Sequence, residues 1–162
     1  MARVASRGAS REVWVLHGPN LHLLGRREPK LYGKDALATI DGRLEKLGES
    51  LGLRVSCFQT NHEGALIDRL TIAMDEVEGV ILNPAALTHT SIALADTLRV
   101  VTIPVVEVHL TNLYARDPVH RTSITGTAVR GVIMGFGGAS YELGLHALAA
   151  LVGSSAKRGR SR

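Results

Sequence analysis

Val13-Trp14-Val15-Leu16-His17-Gly18-Pro19-Asn20 is an apolar run closed by glycine and proline. Four consecutive apolar residues suit a strand buried on both faces, and Gly-Pro stops such a strand at a turn. The first strand is therefore expected over 12–17. The connection that follows, up to Gly33, is long for a strand-to-helix link. It lies between Gly25 and Gly33 and carries Arg26, Arg27 and Tyr32, the make-up of a mobile lid bearing reactive groups. Its plainer reading is a surface loop with incidental charges.

Beyond that connection the pattern alternates. Leu37, Ile40, Leu44, Leu47 and Leu51 recur at three- and four-residue intervals and predict a helix over 35–51. Gly42 and Gly48 weaken it by about 1 kcal/mol each relative to alanine. A second strand follows over Leu53–Gln59, and Leu66, Ile67, Leu70 and Met74 mark a helix over 63–77. Gly79-Val80-Ile81-Leu82 reads as a third strand, stopped by Asn83-Pro84. Thr88, Thr90 or Ser91 can cap a helix carrying Ile92, Leu94, Ala95 and Leu98. A fourth strand is expected over Val105–Leu110 and a fifth over Val129–Met134. Gly135, Gly137 and Gly138 then turn into a helix bearing Tyr141, Leu145, Leu148 and Val152. Five alternations specify an α/β fold, a five-stranded parallel sheet with helices on both faces, in the doubly wound, flavodoxin-like order. One domain over 12–152 is expected.

Composition narrows the class. The chain has 19 basic and 15 acidic residues. Seven of the basic ones, Arg3, Arg7, Arg11, Lys157, Arg158, Arg160 and Arg162, lie in the segments 1–11 and 153–162, leaving the body at −3. Those segments are rich in Arg, Ser, Gly and Ala and are expected to be disordered basic tails. Without interleaved aromatic residues, nucleic acid is not an expected partner. No apolar run is long enough to span a bilayer, and no secretory apolar region follows Met1. Cys57 is the single cysteine, so a reducing, cytoplasmic setting is expected.

In a sheet of this order, ligands bind beyond the carboxyl ends of strands one and three. Polar residues gather at those ends and at the end of strand four. They are His17 and Asn20; Asn83, Thr88, His89, Thr90 and Ser91; and Glu107, His109, Thr111, Asn112 and Arg116. Glu107 and His109 alternate with valines and so share one face, where a carboxylate can fix the imidazole's tautomer and support its charged form. The same pair also reads as a structural ion pair, His89 as a helix cap, and Asn20 and Asn83 as loop braces. His17, His22, His62 and His146 show no ligand spacing with a carboxylate or thiolate, so no metal site is expected. Gly135-Phe136-Gly137-Gly138 lacks the full dinucleotide pattern.

Four blocks of the chain match one family. They are Gly18-Pro19-Asn20-Leu21 through Arg27-Glu28-Pro29 to Tyr32-Gly33; Gln59-Thr60-Asn61-His62-Glu63-Gly64; Asn83-Pro84 with Thr88-His89-Thr90-Ser91; and Glu107-Val108-His109 with Asn112 and Ala115-Arg116. In these the chain resembles the type II 3-dehydroquinate dehydratases, over residues 12–152. The resemblance implies reversible conversion of 3-dehydroquinate to 3-dehydroshikimate, in aromatic biosynthesis or quinate breakdown, without cofactor or metal. It implies a homo-oligomer, a dodecamer of four trimers. Tyr32 is then the base at carbon 2, Arg27 the lid arginine, Asn20 the residue placing a water at the enolate, His109 the proton donor and Glu107 its orienting partner. Asn83, His89 and the backbone of Leu110 and Thr111 hold the substrate. Asp96 reaches in from a neighbouring subunit, and Arg116 sits near Tyr32. The chain departs from the family pattern at His17 and His22, in place of asparagines, and at Ala85 and Leu87, in place of glycine and tyrosine. At His120 the family carries an arginine that contacts the ring hydroxyls, and Arg121 is the second candidate for that contact. The alternatives are a relative that binds or acts on another cyclic polyol acid, and a flavodoxin-like binding module such as a flavin carrier.

Overall fold

The structure, a computed structural model, describes residues 11–26, 29–32 and 34–159. Its strands are β1 (Arg11–His17), β2 (Leu53–Gln59), β3 (Val80–Asn83), β4 (Val105–His109) and β5 (Gly131–Met134). They form one parallel sheet in the order β2-β1-β3-β4-β5. Its helices are α1 (Pro29–Tyr32), α2 (Leu37–Ser50), α3 (Glu63–Glu76), α4 (Leu87–Thr90), α5 (Ile92–Val100) and α6 (Ala139–Gly159). The α/β, flavodoxin-like reading of the sequence holds, with strand order reversing between β1 and β3.

Alternation within β1 explains the two layers. Val13 and Val15 face one side and join Ile81, Val106, Val108, Ile40 and Leu44 of α2, and Tyr141, Leu145 and Leu148 of α6. Trp14 and Leu16 face the other and join Leu66 and Leu70 of α3 with Leu94 and Leu98 of α5. All four are buried, which is why the run shows no polar alternation. Gly48, which weakens α2 as a helix, stands where a Cβ would collide with the Val55 side chain. It lets α2 lie close against β2.

One of the three offered caps is taken up, while several boundaries differ from expectation. Ser91 is the cap of α5: its side chain accepts the Leu94 N–H at 2.9 Å. Thr88 instead turns inward from the short α4, fully buried. β5 begins at Gly131 rather than Val129, although the Arg130 N–H already bonds the Val105 carbonyl. Arg11 belongs to β1, and α6 continues to Gly159 where the sequence reading ends the body at 152. No proline interrupts that stretch, and alanine, lysine and arginine favour helix there. Residues 1–10 and 160–162 lie outside the described residues. Among the described residues, no helix is long and apolar enough to cross a membrane.

Candidate active site

The loops after β1 and β3 are pressed together at the reversal point. The Gly18 N–H donates to the Asn83 carbonyl at 2.8 Å. A Cβ on Gly18 would come within 2.5 Å of the Pro84 carbonyl oxygen, so only glycine allows this approach. Asn20 follows in the left-handed region, at φ 67°, which asparagine tolerates better than most residues. Its N–H donates to Asn61 Oδ1 at 3.0 Å, and Gln59 Nε2 donates to the Gly18 carbonyl and to Asn61 Oδ1. The block after β2 thus braces the loop after β1. Ala85, after β3, also has positive φ, at 52°.

A cleft of about 130 Å³ opens where these loops meet the segment after β4. That is small for a dinucleotide and suits a small polar ligand. Asn20, Asn83, His89, His109, Leu110, Thr111, Arg116 and His120 all line it. Pro19, Leu21, Leu24, Ala85, Ala86 and Leu113 supply the apolar remainder.

His109, 5% exposed, places Nε2 2.6 Å from Oε1 of the fully buried Glu107. With Nε2 so engaged, Nδ1 is the ring nitrogen left for a ligand. The same carboxylate oxygen accepts Thr88 Oγ1 at 2.9 Å and Ser123 Oγ at 3.3 Å, and Thr88 Oγ1 also meets Thr125 Oγ1. Ser123 and Thr125 come from the β4–β5 connection, at positions to which the sequence analysis assigns no role. Their hydroxyls are common in loops, and no spacing relates them to Glu107.

His89 Nδ1 meets the Thr122 carbonyl at 2.7 Å, and its ring stands edge-on to His120, centroids 5.1 Å apart. Burial holds the His89 pKa below the usual imidazole value, against the pull of that carbonyl. His120 Nδ1 lies 2.8 Å from Asp117 Oδ1, and this hydrogen bond keeps the Asp117 carboxyl below its usual range. Arg116 reaches Thr111 Oγ1 at 3.3 Å. Of the two residues considered for the ring-hydroxyl contact, His120 lines the cleft. Arg121 does not, because its Nε donates to the Arg116 carbonyl at 2.6 Å.

Asp96 lies outside the cleft, exposed on α5 and paired with Arg99. The Tyr32 backbone closes α1, but its side chain, like Arg27, lies outside the described part. His17 does not line the cleft. It is buried against Tyr141 and Asp41. Contrary to the expectation from sequence spacing, one trio of metal-competent side chains does come together among the described residues. His17, Asp41 and Cys57 hold their ligand atoms within 4.8 Å of one another. They come from β1, α2 and β2, so their nearness leaves no mark in local spacing. Burial first, and then Asp41, push the Cys57 thiol pKa up, so its sulfur stays protonated.

A buried carboxylate–imidazole pair at the head of a doubly wound sheet, beside a cleft lined by amides and an arginine, has the make-up of a site for acid–base chemistry on a small polar ligand. The family model described as Dehydroquinase class II matches residues 11–149. The chain is 53% identical over 140 residues to the 3-dehydroquinate dehydratase of Desulforudis audaxviator (strain MP104C), covering 86% of this chain and 93% of the relative. It is 48% identical over 136 residues to that of Rhizobium meliloti (strain 1021), covering 84% and 92%. The solved type II dehydroquinase from Propionibacterium acnes superposes with a TM-score of 0.84 at 40% identity, over 87% of this chain and 97% of that one. The chain belongs to the class II dehydroquinase family, and by that membership it is a hydro-lyase.

Proposed function

We propose that this chain, as a single catalytic domain over 12–152, converts 3-dehydroquinate to 3-dehydroshikimate without a cofactor. Tyr32, as tyrosinate, takes a proton from carbon 2, and the electron pair moves into the adjacent carbonyl to give an enolate. Asn20 places a water whose hydrogen bond holds that developing charge. Collapse of the enolate forms the ring double bond and expels the hydroxyl, which leaves as water with a proton from His109. Glu107 keeps His109 turned toward the cleft, and Asn83, His89, the Leu110–Thr111 backbone and His120 hold the ring.

The observation carrying this reading is the Glu107–His109 pair, 2.6 Å apart and sealed beneath a cleft lined by Asn20, Asn83 and Arg116. The base imposes a further requirement. A tyrosine pKa of about 10 must fall to about 7, which takes about 4 kcal/mol. One exposed ion pair gives at most about 1 kcal/mol. Two guanidinium groups in a water-poor site meet the need, which assigns Arg27 and Arg116 to Tyr32 and a closing role to the lid. Assembly belongs to the same proposal. In a trimer-based dodecamer, Asp96, exposed and outside its own cleft, completes a neighbour's.

The direct test mixes pure protein with 3-dehydroquinate and follows the ultraviolet absorbance of the conjugated enone. Tyr32→Phe should abolish turnover with an unchanged circular dichroism spectrum. Full activity in that variant removes Tyr32 from the mechanism, and an inactive wild type at every pH from 6 to 9 removes the substrate.

A further inference from the structure

A buried polar chain runs behind the cleft wall, and of its members the chemistry above uses Asn83 alone. Asp41 Oδ1 lies 2.9 Å from His17 Nε2, and His17 Nδ1 lies 2.8 Å from the Tyr141 hydroxyl. Asn83 Nδ2 donates to the same hydroxyl at 3.0 Å, and Asn83 Oδ1 accepts the Ala85 N–H at 3.1 Å. His17, Asn83 and Tyr141 are at most 2% exposed.

The direction of each link follows from the one before. The Ala85 N–H can only donate, so the Asn83 oxygen faces it and the Asn83 nitrogen faces Tyr141. The Tyr141 oxygen accepts from that nitrogen and must give its own proton elsewhere. Burial pushes the Tyr141 pKa up, so the proton stays on the phenol. The acceptor in reach is His17 Nδ1, which leaves the ring proton on Nε2, donated to Asp41. Every polar atom along the line is then satisfied, and neighbouring links reinforce one another. One Asn83 amide hydrogen is committed to Tyr141, and the other is the one left for the cleft.

We propose that His17 is a positioning residue for the ligand-holding amide of Asn83, acting through the Tyr141 hydroxyl, with Asp41 as the anchor that fixes its tautomer. Asn83 is thereby a fixed donor, matched to a hydroxyl or carboxylate oxygen of the ligand. What Asn83 holds rests on the dehydratase reading; the direction of the chain does not. Cys57 Sγ lies within 4.8 Å of the same His17 and Asp41 atoms, so a metal held there would compete with this hydrogen-bond line.

Long-range proton–nitrogen NMR of the ligand-free, histidine-labelled protein at pH 7.5 tests the chain independently of activity. His17 should show the Nε2–H tautomer with Nδ1 as acceptor, and Tyr141→Phe should shift the Nδ1 resonance toward that of an unbonded lone pair. An Nδ1–H tautomer, a charged ring, or one zinc per chain in the purified protein overturns the proposal. In turnover, Tyr141→Phe should raise KM for 3-dehydroquinate about tenfold, the effect of one lost buried hydrogen bond, with kcat within about twofold. It should add nothing further in an Asn83→Ala background. An unchanged KM, or independent effects in the double variant, refutes the coupling. A wild type that does not turn over 3-dehydroquinate defeats the functional reading and leaves the tautomer to decide this one.

Discussion

Replacing Thr88 with valine keeps its shape and removes one hydroxyl from the most enclosed polar cluster of the site. That hydroxyl stands 2.9 Å from Glu107 Oε1, 3.0 Å from Ser123 Oγ and 2.5 Å from Thr125 Oγ1. Among the described residues, Glu107 Oε2 is buried with no partner, so Oε1 carries the donors that hold this carboxylate. A hydrogen bond to a charged group contributes roughly 1.5–3 kcal/mol. The Thr125 hydroxyl, fully buried, loses its partner as well, at about 1 kcal/mol. Thr88→Val should therefore destabilise by about 3 kcal/mol. Thr88→Ser keeps the hydroxyl and gives up one methyl, at about 1 kcal/mol. Thermal unfolding by circular dichroism, at matched pH and protein concentration, should place the valine variant about 6–12 °C below wild type. The serine variant should fall about 2–4 °C below it. If serine proves the worse substitution, or valine lies within about 1 kcal/mol of wild type, the Thr88 hydroxyl is not what holds Glu107.

Gly18→Ala puts a methyl against the Pro84 carbonyl, and with backbone on both sides neither partner yields cheaply. A loss of about 3 kcal/mol or more is expected in urea unfolding, and near-neutral behaviour would mean the two loops are not pressed together. The His89 pKa is lowered in the folded state, so the unfolded chain binds that proton better. This leaves stability untouched well above pH about 6.5 and lowers it as pH falls through that value. An NMR titration of His89 should show a midpoint below about 6.5, and a midpoint above it contradicts the lowering. His120→Arg should lower KM for 3-dehydroquinate about fivefold, because a charged fork replaces an imidazole at the ring hydroxyls. A raised KM would remove His120 from that contact.

Fold was legible in the sequence because its signals were local. Val13–Leu16 and Val80–Leu82 carry their burial in continuous apolar letters, and α2 and α3 announce themselves by period. The cap of α5 stayed open among Thr88, Thr90 and Ser91 because each is a capable residue. Thr88 and Ser91 are both able caps, and only packing against Glu107 takes Thr88 away from that role. The cleft was legible for a different reason: a doubly wound sheet delivers its loops to one edge, so Asn20, Asn83, His89 and His109 had to meet. What stayed hidden came from pairs far apart in the chain. Tyr141 looks like one more core position of α6, yet its hydroxyl joins β1 to β3. Asp41 looks like the polar face of α2, yet it ends that same line.

The turn after β3 has a consequence for how this protein can change over time. Ala85 is wound into a region where an L side chain costs about 1–2 kcal/mol, while its N–H clamps the Asn83 oxygen. Glycine at 85 would relieve that cost and widen the angles open to the peptide, which would loosen the clamp. The alanine restricts the backbone angles of the peptide that clamps the Asn83 amide, at a cost in stability. With Asn83 holding the substrate as proposed, selection for heat tolerance and selection for tight substrate capture would favour opposite residues at this one position.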